Sequence, residues 1–95
     1  MGLPELAVPV LAIDLGTINV KVSLFDAVSG QYSLIAAAQA TGGPYSRDYD
    51  FYTPVSQAIK SIESQSGRIL LDPIGRIITP CTSEGKGVGR VIITG

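Results

Sequence analysis

The run Ala12-Ile13-Asp14-Leu15-Gly16-Thr17-Ile18-Asn19-Val20-Lys21 constrains this chain more than any other stretch. It joins two different kinds of strand through a tight turn that carries an acid, a glycine and a hydroxyl. Upstream, Ala7-Val8-Pro9-Val10-Leu11-Ala12-Ile13 is continuously apolar, the pattern of a strand covered on both faces. Downstream, Ile18, Val20, Val22 and Leu24 alternate with Asn19, Lys21, Ser23 and Phe25, which predicts a strand with one face fully buried. Gly16 has no side chain to obstruct a sharp turn or the approach of a ligand, and Thr17 adds a hydroxyl and a backbone donor.

Asp14, at the carboxyl end of the first strand, is placed to bind Mg²⁺ directly or through a water, with the Gly16 and Thr17 amides and the Thr17 hydroxyl facing phosphate oxygens. The plainer alternative is a turn aspartate that hydrogen-bonds its own backbone. Lys21 follows Thr17 by four positions on the face opposite Ile18 and Val20. It is either within reach of a β- or γ-phosphate or a solvated lysine on an exposed sheet face.

Composition narrows the remaining chemistry. Ninety-five residues, 45% of them hydrophobic, suit a single globular unit with a modest core. Seven Lys plus Arg against eight Asp plus Glu, spread without runs, give no basic footprint for nucleic acid. The single Cys81 rules out an internal disulfide. With no histidine, the usual zinc constellations and any histidine-based triad are excluded as well. The amino end lacks a positive region, and its apolar run is too short and proline-interrupted to span a bilayer, so the expected location is cytoplasmic.

Along the chain, Asp26-Ala27-Val28-Ser29-Gly30 reads as a hairpin connection to a third strand from 31 to about 39. In that strand Tyr32, Leu34, Ala36 and Ala38 form the expected buried face, and the alanines predict close packing by a helix. Thr41-Gly42-Gly43-Pro44 ends the meander, and residues 45–52 read as a loop whose three tyrosines either contact a partner or, as expected more often, pack the loop onto the body. Thr53-Pro54 starts a helix, with Val55, Ala58, Ile59 and Ile62 at i, i+3, i+4 and i+7 and Gly67 as its left-handed cap. Residues 69–71 and 76–79 flank an Asp72-Pro73-Ile74-Gly75 turn as a small hairpin, ended by Pro80. Arg90-Val91-Ile92-Ile93-Thr94-Gly95 reads as a buried, parallel-type strand. Without a helix after it the domain looks truncated, the front of a longer protein.

The Gly85-x-Gly87-x-Gly89 loop fits no phosphate-binding template. No helix pattern follows it, Arg90 stands where a dinucleotide fingerprint needs glycine, and the Walker lysine-serine pair is absent, so a flexible connector is expected. Cys81 has no neighbouring base and reads as inert.

With Asp14-Leu15-Gly16-Thr17 and Lys21 set between apolar strands, the chain resembles the first phosphate motif of the actin, sugar-kinase and Hsp70 (ASKHA) superfamily. The order of elements agrees: three antiparallel strands, a helix, then a strand parallel to the first. The resemblance implies an α/β, ribonuclease H-like fold in which Asp14 positions Mg²⁺ and its waters while Gly16, Thr17 and Lys21 contact the β- and γ-phosphates of ATP. Within the superfamily, Phe25-Asp26, the helix over 53–66 ending at Gly67 and the closing Arg90-Val91-Ile92-Ile93-Thr94-Gly95 look most like the glutamate mutase MutL type of accessory protein. That likeness implies an ATPase serving an adenosylcobalamin-dependent mutase. It spans nearly all of this chain but only the opening part of the family's length. The second phosphate motif, the adenosine motif and the general base would then belong to the remainder of the parent polypeptide, and the isolated chain would not be catalytic.

Two other classes fit parts of the pattern. Metal-dependent nucleases and Holliday-junction resolvases of the same fold also carry an aspartate followed by Gly-Thr on the first strand, but they need further converging carboxylates, and Glu84 precedes the last strand. A non-catalytic module is the third reading. It is either a truncated domain that self-associates, since unpaired strand edges and an uncovered sheet face favour a homo-oligomer, or a binding scaffold whose turn only resembles a phosphate site.

Overall fold

The computed structural model describes residues 8–42 and 52–95. The expected loop over 45–52 therefore lies outside the described residues, apart from Tyr52, which opens the helix. Strands β1 (Val10–Leu15), β2 (Asn19–Val28) and β3 (Gln31–Thr41), helix α1 (Tyr52–Ser66) and strand β4 (Arg90–Thr94) form a small α/β domain. Its single mixed sheet has the order β3-β2-β1-β4, with β1–β2 and β2–β3 antiparallel and β1–β4 parallel. Among the described residues no helix is long and apolar enough to cross a membrane.

The alternation read in the sequence sorts the sheet into two unequal faces. Leu11, Ile13, Val20, Val22, Leu24 and Ala36 are buried on the face that receives Val55, Ala58, Ile59 and Ile62 of α1. The helix lies over β2 and β3, and small Ala36, Ala38 and Ala40 admit it closely. Its apolar stripe holds the expected spacing. Gly67, at φ 74°, closes it and donates its N–H to the Glu63 carbonyl. The following segment returns beneath β1, adding buried Leu70, Leu71 and Val88 to the same core.

Four expectations about the sheet need correction. The hairpin turn is only Ser29-Gly30, both at positive φ (54° and 82°), the geometry that matches the twist of paired strands. Asp26 therefore belongs to β2, where its Oδ2 accepts from Arg68 at 2.5 Å. Tyr32 and Leu34 do not share a buried face with Ala36 and Ala38. Leu24 pairs with Ala36 but Phe25 with Leu34, so Ile35 is an extra residue that reverses the alternation. Tyr32 and Leu34 are exposed on the open face, where the Tyr32 hydroxyl donates to the Val8 carbonyl at 2.8 Å. Ile18 is likewise exposed, because β2 begins one residue after it. Finally, neither β1 nor β4 is buried on both sides. Val10 and Ala12 are half-buried, and Ile92 and Ile93 are exposed, since among the described residues β4 has a strand neighbour on one edge only.

The 69–79 hairpin is present in reduced form as a single antiparallel bridge between Leu71 and Ile77. The glycine loop is strapped down rather than a flexible connector. Gly87 N–H donates to Ile69 O, Val88 N–H to Ile78 O, and Gly89 and Arg90 N–H both to Pro9 O. Gly87 sits at φ 84° with the Ile78 backbone where a Cβ would stand, which accounts for that glycine.

Candidate functional site

The site grows out of the register of three strands. Asp14 is the direct partner of Lys21 across β1–β2 and of Thr94 across β1–β4, and Lys21 in turn faces Gln39. Directly paired residues project to the same side of a sheet. Gln39, Lys21, Asp14 and Thr94 therefore form a polar row on the face away from α1, and all four are exposed. The row stands at the carboxyl ends of the parallel pair β1–β4, where open α/β sheets receive ligands.

Within it, the Thr94 hydroxyl lies 3.4 Å from Asp14 Oδ1, a long hydrogen bond between residues that the parallel ladder already sets side by side. Asp14 and Lys21 are neighbours without an ion pair among the described residues. The carboxylate and the amine are thus both available to a third group. Beside the row, Gly16 N–H donates to the Asn19 carbonyl at 2.9 Å, closing the turn. A Cβ at Gly16 would stand 2.8 Å from that same oxygen, so the tightness of the turn requires glycine. The turn leaves Thr17 and Ile18 exposed, with their amides taking no acceptor among the described residues.

The structure thus brings Asp14, Gly16, Thr17 and Lys21 to one corner of the sheet. Gly16's own amide is consumed inside the turn, so Thr17 and Ile18 hold the free donors in its place. Thr94 is the residue that sequence reading missed. A threonine ending an apolar strand gives no signal until the parallel register sets it beside Asp14. The Gly85-x-Gly87-x-Gly89 loop contributes nothing here, because the amides from Gly87 to Arg90 are spent on backbone carbonyls. Cys81 is half-buried, its Sγ 3.7 Å from the Gly87 carbonyl.

Among the described residues no three His, Cys, Asp or Glu side chains converge as a metal cage. Asp14 is a single carboxylate flanked by a hydroxyl and an amine. Such a set suits a hydrated cation that a phosphate helps to hold, since Mg²⁺ keeps several waters and commonly takes one or two carboxylates plus phosphate. No family model and no curated protein matches this chain.

Proposed function

We propose that this chain carries the first half of an ATP site of the actin-like, ribonuclease H-like kind. Asp14 would hold hydrated Mg²⁺, the amides at Thr17 and Ile18 and the Thr17 hydroxyl would receive phosphate oxygens, and Lys21 would neutralise the β- or γ-phosphate. The observation that carries this reading is the juxtaposition, at one sheet corner, of a carboxylate and a lysine that form no ion pair among the described residues and a glycine turn whose Thr17 and Ile18 amides meet no acceptor among them. Mg²⁺, when bound, supplies charge neutralisation of the phosphates. Thr94 keeps its hydroxyl beside Asp14 Oδ1, at 3.4 Å. The order of elements and the parallel β1–β4 pair agree with the ribonuclease H-like class. On this reading the parent is an ATPase that drives a conformational change in a partner, with an adenosylcobalamin-dependent mutase as the candidate partner.

The nuclease reading ranks below it. Glu84 sits in the 82–86 turn before β4, and its carboxylate is 3.5 Å from Lys86 Nζ, so it stands at the opposite end of the strand from Asp14. A two-metal mechanism needs the carboxylates to converge.

The test is an amide-shift NMR titration of the purified chain with Mg-ATP, run in parallel on Asp14→Ala. Shifts centred on Thr17 and Ile18 that disappear in the variant are expected, with no turnover of ATP by the chain alone. Unchanged spectra at millimolar Mg-ATP would remove the proposal.

A further inference from the structure

Helix α1 carries a second stripe beside its apolar one. Tyr52, Ser56, Lys60 and Glu63 follow one another at helical spacing, so they line one side of the helix. That side faces the Asp72-Pro73-Ile74-Gly75 turn across a cavity, and the two walls are clamped at both ends. At one end the Tyr52 hydroxyl donates to the Gly75 carbonyl; at the other, Glu63 Oε2 accepts the Leu71 amide at 3.0 Å. Along the helix the two clamps stand about 16 Å apart. The cavity between them holds about 480 Å³, within the range of small-molecule sites. None of its lining residues belongs to the sheet.

The two helix residues between the clamps are the ones left without partners. Lys60 forms no ion pair, and the Ser56 hydroxyl no hydrogen bond, among the described residues. Both carboxylates at the rim are already engaged elsewhere. Glu63 Oε2 takes the Leu70 amide as well as that of Leu71, and Asp72 takes the Ile74 and Arg76 amides and Arg76 Nε. The facing wall is apolar and fixed. Those bonds, with the Gly75 amide donating to the Asp72 carbonyl at 2.9 Å, hold Ile74 at the tip of the turn with 74% of its surface exposed. Pro73 and Tyr52 extend the same apolar shelf, and both are exposed.

We propose that this cavity binds a small monocarboxylic acid with an apolar or aromatic body, its carboxylate received by Lys60 and the Ser56 hydroxyl and its body lying against Tyr52, Pro73 and Ile74. A few polar groups that orient an apolar body are the ordinary construction of a ligand pocket. The charge balance selects the anion. Lys60 neutralises one negative charge, while the Glu63 and Asp72 carboxylates at the rim oppose a second, which favours a carboxylate over a phosphate dianion. A cationic ligand finds the same two carboxylates already supplied with donors. Because the clamps fix both walls before binding, little ordering remains to oppose it. The cavity shares no residue with the corner at Asp14, so it is independent of the ATP reading.

An amide-shift NMR titration of the full chain with phenylacetate, without nucleotide, tests the site. Shifts at Ser56, Lys60, Ile74 and Gly75 are expected, with a dissociation constant of about 1 mM, the affinity a ligand of that size reaches at ordinary efficiency. Lys60→Met keeps the aliphatic stem and removes the charge, and is expected to weaken binding about tenfold, while Lys60→Arg retains it. Ile74→Ser is expected to weaken it about fivefold. Both positions are exposed, and each variant should keep the wild-type far-ultraviolet circular dichroism spectrum. Acetate lacks the body, phenylacetamide the charge, phenyl phosphate carries a second charge, and phenethylamine reverses the sign; each is expected to bind at least about tenfold more weakly. Spectra unmoved by phenylacetate at tens of millimolar overturn the proposal. So does an affinity indifferent to Lys60→Met, or any of the four control compounds binding as tightly as phenylacetate.

Discussion

Asp72 shows how much one half-buried side chain can organise. Its Oδ1 accepts the Arg76 amide at 2.9 Å and the Ile74 amide at 3.0 Å, and its Oδ2 faces Arg76 Nε at 3.2 Å. The Arg76 amide first, then the Ile74 amide and the Arg76 guanidinium, hold the carboxyl below its ordinary pKa against the opposing effect of desolvation. A lowered folded-state pKa gives stability that is fully present above the ordinary carboxylate pKa of about 4 and is lost as pH falls through the lowered value. Asp72→Asn keeps an acceptor but not the charge. Urea unfolding against pH should therefore show the wild-type advantage over Asp72→Asn shrinking below about pH 4, and parallel profiles would refute this role. Glu63 acts with more consequence, because its Oε2 takes both the Leu70 amide at 2.8 Å and the Leu71 amide at 3.0 Å, fixing the segment behind the helix. Glu63→Ala should cost about 1.5–3 kcal/mol and Glu63→Gln clearly less, as measured by urea denaturation. Equal losses would mean that packing, not the two amide bonds, accounts for the effect.

At the scale of the elements, the bulge in β3 decides which side chains belong to the core. Leu24 is fully buried and Leu34 is 57% exposed, although both lie in strands of the same hairpin. Leu24→Ala should cost about 2–5 kcal/mol, while Leu34→Ser should change stability by no more than about 0.5 kcal/mol. Comparable losses by thermal and urea unfolding would show that the alternation continues unbroken through Ile35. The same bulge marks where sequence reading stops working. Strand alternation, the i, i+3, i+4 stripe of α1 and the left-handed cap at Gly67 are local signals, and they place four strands, one helix and most of the core. An inserted residue changes parity without changing composition, so Tyr32 and Leu34 read as core. The Asp14 turn was legible because acid, glycine and hydroxyl are adjacent in the chain. Thr94 was not, because its neighbour is eighty residues away and only the parallel register brings them together. The strapped loop from Gly87 to Arg90 escaped for the same reason, its acceptors lying on Ile69, Ile78 and Pro9.

At the scale of the whole molecule, the proposed nucleotide site joins the ends of three strands, since Asp14 lies between Lys21 of β2 and Thr94 of β4. A ligand that binds there and not to the unfolded chain stabilises the whole fold by mass action. At a Mg-ATP concentration about one hundred times its dissociation constant the gain is about 2.7 kcal/mol, which raises the midpoint of thermal unfolding. ATP without Mg²⁺ should give less, because the Asp14 carboxylate then faces the phosphates with no cation between them. Asp14→Asn should lose the magnesium-dependent part of the shift and keep the rest. A midpoint that Mg-ATP leaves unmoved, or moves equally in Asp14→Asn, would mean that the carboxylate takes no part in binding.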